Sequence, residues 1–246
     1  MVVIIVQARM GSTRLPGKVL KPIAGRPMLS YQIERLRRVQ RGQQLVVATT
    51  INPLDDAIVS FCRDAGVDCC RGSEQDVLSR YWQAAEQFAA TTVVRVTADC
   101  PLLDPQLVDL AIETFVDHAG RYDYVSNMIT PTWPYGMAVE VLSEQVLREA
   151  NRESIDAAER EHVTPFVYLR PDRYRIKSLT RHPDLSWHRW TVDTPEDFQL
   201  VSLLLESLYP RRPAFTIDDV LATLDRHPDW ANINAHVAQK SIEQRR

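Results

Sequence analysis

Two arginines, a lysine and two hydroxyl side chains stand close together near the start of the chain, in Gln7-Ala8-Arg9-Met10-Gly11-Ser12-Thr13-Arg14-Leu15-Pro16-Gly17-Lys18. Guanidinium groups grip phosphate oxygens through paired hydrogen bonds, and an ammonium adds a point charge. Glycines let backbone N–H groups turn toward the same anion. The chemistry that suits such a set is the binding of a polyphosphate. Val19 follows Lys18 where a Walker A loop needs Ser or Thr, and the glycine spacing is not GxGxxG. A solvated basic turn is the plainer alternative for the same residues.

Two acidic positions are the natural counterparts. Asp99 lies in Thr97-Ala98-Asp99-Cys100-Pro101, just past an apolar run, and Asp193 lies in Trp190-Thr191-Val192-Asp193-Thr194-Pro195-Glu196-Asp197. Mg²⁺ is commonly held by one or two carboxylates together with substrate phosphates. For Asp193 a second role stays open, because either it or Thr194 can cap a helix that begins at Pro195. Asp197 reads as structural. Cys100 has no basic neighbour in sequence to activate it and reads as a small core residue.

These groups must be positioned by ordered elements. Val2–Val6 is a continuous β-branched run, as expected of a strand buried on both faces. Further strands are expected at 45–48, 67–70 and 92–96. Helices are expected from Pro27 to about 39, over 54–65 and 75–89, and from Pro105 to about 118. This alternation implies βαβ units and a mostly parallel sheet, in which ligands bind beyond the carboxyl ends of the strands. The pattern then changes. Short extended pieces are expected at 124–126, 138–142 and 174–179, with helices near 143–150 and 156–169. A returning strand is expected over 189–193, then helices over 195–208 and 217–226.

At 246 residues, with 45% apolar and 25% charged positions, the chain can build its own core, which excludes long disorder. A net charge of -3 excludes a generally basic nucleic-acid surface. The charge is uneven: the first 41 residues carry nine Lys/Arg and one Glu, so the remainder carries -11. One anionic site fits that asymmetry better than a basic face. Arg35, Arg37, Arg38 and Arg41 are expected to meet solvent on or just after the first helix. Trp187 and Trp190 are expected to belong to the core. No apolar run approaches the ~18 residues of a membrane helix. Four cysteines without a CxxC pair read as free thiols of a cytoplasmic protein.

The segment Gln7–Leu20, followed by Ala24-Gly25-Arg26-Pro27-Met28-Leu29, resembles the N-terminal signature of bacterial cytidylyltransferases, a family that includes the CMP-Kdo and CMP-acylneuraminate synthetases. Within it the chain is most similar to the spore coat polysaccharide biosynthesis protein F-like branch. The resemblance covers essentially the whole chain, to Ile233-Asn234-Ala235-His236-Val237. It implies an α/β fold of the three-layer, Rossmann-like nucleotidyltransferase (GT-A-like) kind, with a mixed, mostly parallel sheet, helices on both faces and a β-rich insertion. One domain is implied, comprising a nucleotide-binding half (1–120), an acceptor-binding and dimerisation part (121–190) and a closing part (191–246).

The implied activity is transfer of CMP from CTP to an acidic sugar with release of pyrophosphate, in surface polysaccharide or glycoconjugate biosynthesis by a homodimer. The implied CTP contacts are Ala8, Arg9, Gly11, Ser12, Arg14 and Lys18, with Arg71, Ser73 and Arg80 lining cytosine and ribose. Arg14, Lys18, Asp99 and Asp193 would carry catalysis, and the two aspartates would hold Mg²⁺. For the middle loop the residues leave another role open: Ser73 and Asp76 can cap a helix, and Arg80 can pair with Asp76 at i+4. On the acceptor side the resemblance implicates Asn127, Gly136, Glu140 and His162. Ala138 stands where the branch has Asp. His162 is either structural or a base. Arg160, Arg175 and Lys177 either meet an acidic acceptor or lie on a solvated face. The rival functions are a glycosyltransferase consuming a nucleotide sugar, although no DxD motif lies near Asp99 or Asp193, and a non-catalytic nucleotide-binding partner of a polysaccharide machine.

Overall fold

The computed structural model describes residues 1–238. β1 (Val2–Gln7) leads through the basic loop to a two-residue hairpin, β2 (Pro22–Ile23) and β3 (Arg26–Pro27), and then to α1 (Met28–Leu36). There follow β4 (Gln44–Thr50), α2 (Asp56–Ala65), β5 (Asp68–Gly72), α3 (Val77–Gln87), β6 (Thr92–Thr97) and α4 (Pro105–Val116). The second half holds β7 (Tyr124–Ser126), β8 (Glu140–Ser143), α5 (Glu144–Glu153), α6 (Ala157–His162), α7 (Pro165–Tyr168), β9 (Ile176–Ser178), α8 (Pro195–Leu208) and α9 (Ile217–Arg226).

Seven strands form one sheet in the order β5-β4-β1-β6-β8-β7-β9. The first four are parallel, β8 runs antiparallel to both β6 and β7, and β9 is parallel to β7. β1 is β-branched because both its faces are buried. Ile4 and Val6 pack with α1, α4, α8 and α9, whereas Val3 and Ile5 pack with α3, α5 and α7. The chain moves outward from β1 to β4 and β5, then returns to the other side of β1 with β6. This reversal makes the gap between the β1 and β6 loops the binding crevice of an open α/β sheet. Gln7 and Thr97 are paired neighbours in the parallel register, so the basic loop and Asp99 leave the sheet side by side.

Four expectations are corrected. Residues 189–193 are not a strand: they make one isolated bridge, Arg189 with Tyr135, and otherwise bond to loop backbone, Trp190 N–H to Tyr135 O at 2.6 Å and Val192 N–H to Asp99 O at 2.8 Å. Every residue there is buried at least in part, which imitates the pattern of a strand. The helix expected over 156–169 is broken at Val163. Arg35 does not meet solvent. It is buried, and its guanidinium donates to the Leu103, Phe215 and Leu102 carbonyls at 3.0, 3.0 and 3.3 Å while lying 3.8 Å from the Phe215 ring centroid. Trp190 is core as expected, but Trp187 is 68% exposed.

Candidate active site

The basic loop is held by its own backbone and by one carboxylate. Met10 O accepts from both Ser12 N and Gly17 N, at 2.9 and 3.0 Å, and Met10 N donates to Asp55 Oδ1 at 2.7 Å. Leu15 and Val19 are buried beneath it. Gly17 takes φ 69°, a left-handed conformation that favours glycine, and starts the 3₁₀ turn Lys18–Leu20. That turn aims Lys18 across the crevice. Its Nζ donates to Asp193 Oδ1 at 2.9 Å, to Asp99 Oδ2 at 3.3 Å and to Val192 O at 2.7 Å.

Lys18 therefore bridges the two aspartates predicted to work together. Burial lowers the lysine pKa, but the charges of Asp99 and Asp193 outweigh it and hold the ammonium above its usual value. Burial likewise raises the Asp99 carboxyl. The Lys18 charge and hydrogen bonds from Thr97, Lys18 and Cys100 outweigh that effect and keep Asp99 below the usual range. Asp193 also meets Arg14 and Arg189, each at 3.1 Å. It does not cap α8. Thr194 is the N-cap and Asp197 completes the capping box, which leaves Asp193 to face the crevice. Asp197 is structural as expected: it is fully buried and paired with Arg189 at 2.8 Å. Burial pushes the Cys100 thiol well up, so it is not a nucleophile.

A cavity of about 230 Å³ gathers Ala8, Arg9, Ser12, Arg14, Lys18, Arg80, Asp99 and Asp193. Arg80 reaches it from α3 and is 2% exposed. It does not pair with Asp76, which caps α3 through Ser79 N and binds Arg160 at 2.7 Å. Its guanidinium donates to Ser73 O at 2.5 Å, and its buried Nε has no partner among the described residues. Burial, joined by the repulsion of Arg9, pulls the Arg80 pKa down. A buried cation facing a second cation marks a place where an anion is stabilised.

Arg71, Ser73 and Gly11 are not among the residues lining this cavity. The Arg71 guanidinium is committed to Thr50 O, Asp56 and Asn52 O. Ser73 Oγ accepts from Asp76 N in the turn before α3. Arg71 and Ser73 line a separate, open cleft of about 600 Å³ with Asn52 and Glu74. A Cβ on Gly11 would meet Glu74 Oε1 at 3.3 Å.

A second cavity of about 460 Å³ adjoins the first and shares Gln7, Thr97 and Asp99 with it. Gly136, Glu140 and His162 line it. Gly136 has φ 111°, and a Cβ there would sit 2.4 Å from Thr191 N, so only glycine admits this approach of the 134–138 loop to the segment carrying Asp193. Asn127 is not in the lining. Its amide clamps the loop instead, donating to Met137 O at 2.7 Å and accepting from Val139 N at 3.0 Å. The break after α6 is a γ-turn: Val163 has φ 74° and ψ -57°, and Thr164 N donates to His162 O at 2.9 Å. Such a backbone is costly for a β-branched residue, by about 1–3 kcal/mol. Here it lets His162 and Thr164 line the same cavity.

Arg160 and Arg175 take no place in that wall, being paired with Asp76 and Asp123. Sequence reasoning passed over Gln7, Arg95, Thr97 and Arg189. Arg95 carried a signal, a charge inside the apolar run Val93–Val96. So did Arg189, spaced four residues from each next acid in Arg189, Asp193 and Asp197.

A family model described as cytidylyltransferase matches residues 3–208. The chain belongs to the cytidylyltransferase family. This cytidylyltransferase is 33% identical to the spore coat polysaccharide biosynthesis protein SpsF of Bacillus subtilis over 240 residues, 94% of this chain and 96% of that one. It superposes on a cytidylyltransferase from Leptospira borgpetersenii with a TM-score of 0.89 at 31% identity, covering 94% of this chain and 96% of the other. The fold also matches a CMP-Kdo synthetase solved with CTP, with a TM-score of 0.63 at 19% identity, covering 84% and 98%.

Proposed function

We propose that this cytidylyltransferase transfers CMP from CTP to a hydroxyl of a small sugar-like acceptor and releases pyrophosphate, in polysaccharide or glycoconjugate biosynthesis. The observation that carries the reading is the convergence of Arg9, Arg14, Lys18 and Arg80 on Asp99 and Asp193 in one cavity at the reversal point of the sheet. The acceptor oxygen bonds to the α-phosphorus as the bond from that phosphorus to the β-phosphate oxygen breaks. The four cations hold the triphosphate and stabilise the charge that accumulates on pyrophosphate. Lys18 holds the Asp99 carboxyl below its usual range, pairs with Asp193 and lies within the cavity that receives the phosphates. Gln7, Thr97 and Asp99, common to both cavities, are where acceptor and nucleotide meet.

Asp99 and Asp193 would hold Mg²⁺. They fit it, since two carboxylates straddle one cation, Lys18 Nζ. When bound, the ion neutralises phosphate charge and acidifies the acceptor hydroxyl. Asp99→Asn and Asp193→Asn should each abolish turnover while leaving thermal unfolding intact. Wild-type turnover in either variant would remove that residue from the site.

In this proposal residues 1–120 bind the nucleotide, 121–190 the acceptor, and 191–246, of which 239–246 lie outside the described residues, belong to the same unit. A homodimer through 121–180 is supported by Ile155, 97% exposed, and Leu169, 42% exposed. A monomer by light scattering at micromolar concentration would remove it. Four free thiols support a reducing, cytoplasmic setting.

A further inference from the structure

Asp193 meets three cations, and they are not alike. Lys18 Nζ approaches Oδ1 at 2.9 Å, whereas Arg14 and Arg189 both approach Oδ2, at 3.1 Å each. Arg14 and Lys18 line the nucleotide cavity, but Arg189 is not among the residues lining either cavity. Its side chain is 5% exposed. In the proposed reaction Arg14 and Lys18 turn to the phosphates. Of the three cations, Arg189 is the one that stays with Asp193.

Arg189 is itself fixed. Its Nε donates to Asp197 Oδ1 at 2.8 Å, and its Nη2 donates to Asp197 Oδ2 at 2.8 Å and to Asp193 Oδ2 at 3.1 Å. Asp197 Oδ2 also accepts from Asp193 N at 3.0 Å and Thr194 N at 3.1 Å. A capping box needs only the Thr194 bond. The others hold Asp193 at both ends, its backbone on Asp197 and its carboxylate on Arg189.

Asn234 completes the clamp. It is buried, and its Nδ2 donates to Asp197 Oδ1 at 2.8 Å and to Arg189 O at 2.9 Å. It lies in Ile233-Asn234-Ala235-His236-Val237, the run that closes the family resemblance and has had no role so far. A buried ion pair adds little stability of its own, so five hydrogen bonds converging on the Asp197 carboxylate point to orientation beyond folding.

We propose that Arg189, clamped by Asp197 and Asn234, is a positioning residue that keeps the Asp193 carboxylate turned toward its metal when the triphosphate draws Arg14 and Lys18 away. The inference rests on the cytidylyltransferase reading, with Asp193 as a metal ligand. Arg189 acts on Oδ2 and leaves Oδ1, the oxygen on the Lys18 side, to the cation. The closing run of the chain thereby supports the site from behind.

The test is calorimetric titration of full-length protein with CTP in EDTA and, separately, with the preformed Mn²⁺ complex of CTP. In Arg189→Gln the amide can replace Nε against Asp197 but ends short of Asp193. This variant should weaken binding of the Mn²⁺ complex by at least about tenfold and leave that of metal-free CTP within about threefold, the loss typical when a group holding a metal ligand is removed. Loss of a positive charge alone predicts the reverse, because metal-free CTP is the more negative ligand. A purely structural role predicts a lower unfolding temperature with both affinities unchanged. Either of those results, or equal losses for both ligands, overturns the proposal. Should Arg189→Gln fail to fold, Asn234→Leu leaves every charge in place and should weaken the Mn²⁺ complex about fivefold, the worth of one hydrogen bond, with metal-free CTP unaffected. No selective loss there overturns the proposal as well. Failure of the underlying readings shows in other measurements. Absence of CTP binding by wild type removes the cytidylyltransferase reading. Wild-type affinity of Asp193→Asn for the Mn²⁺ complex removes Asp193 from the metal site, and the proposal falls with it.

Discussion

His188 gives a prediction whose size follows from its surroundings. Its ring stacks on Trp187 with centroids 3.5 Å apart, lies 5.1 Å from Trp190, and the residue is 7% exposed. Burial pushes the imidazole from 6.5 down to about 4, with Asp225 opposing weakly. An unfolded chain takes up this proton as the pH falls below 6.5, whereas the folded chain resists until about 4. Stability from this residue is therefore complete above about pH 7, declines as the pH falls through that window, and levels off below it. At pH 4.5 the loss is about 2.5 kcal/mol, a large share of a typical ~5–15 kcal/mol. His188→Phe keeps the stack and abolishes the titration. Urea unfolding at pH 7.5 and pH 4.5 should show wild type losing about 2.5 kcal/mol more than the variant between the two conditions. Equal losses would refute the reasoning. The consequence reaches the site, because His188 O accepts from Tyr135 N at 2.9 Å and so fastens the segment that carries Asp193 to the loop that carries Gly136.

Lys18→Ala should weaken CTP binding by about 10–100-fold, the worth of a charge-assisted bond, and acceptor binding much less. Equal losses for both ligands in calorimetry would remove Lys18 from the triphosphate cavity. Arg35→Met should lower stability by about 3 kcal/mol, because the carbonyls of Leu102, Leu103 and Phe215 lose their donor, yet leave nucleotide affinity unchanged. An affinity loss without a stability loss would contradict this structural role.

Much of the fold was legible because local signals agreed with the global one. The run Val2–Val6 needed only burial on both faces, and Pro105 and Pro195 marked helix starts that the structure keeps. Where the sequence misled, tertiary contacts had overridden local pattern. Residues 189–193 are buried like a strand but bond across strand ends to Tyr135 and Asp99, partners far away in sequence. Arg35 reads as a surface arginine until α9 brings Phe215 over it. Val163 breaks a continuous helical pattern with a γ-turn that no propensity favours.

The site shows the same division. Residue type and loop position marked Arg9, Arg14, Lys18, Asp99 and Asp193, and the structure gathers them. Arg71 and Asn127 were implicated by resemblance, yet their hydrogen bonds are spent on holding loops. Pairing across strands cannot be read along the chain, which is why Arg95 and Glu140, opposite each other on β6 and β8, stayed hidden as a unit.

CMP transfer from CTP is tested by measuring pyrophosphate release with Mg²⁺ and a panel of neutral and acidic acceptors, supplying CTP, UTP, ATP or GTP in turn. The expected result is acceptor-dependent release from CTP that the other nucleotides do not support. Binding of CTP without pyrophosphate release across the whole panel, or equal release from every nucleotide, would contradict it.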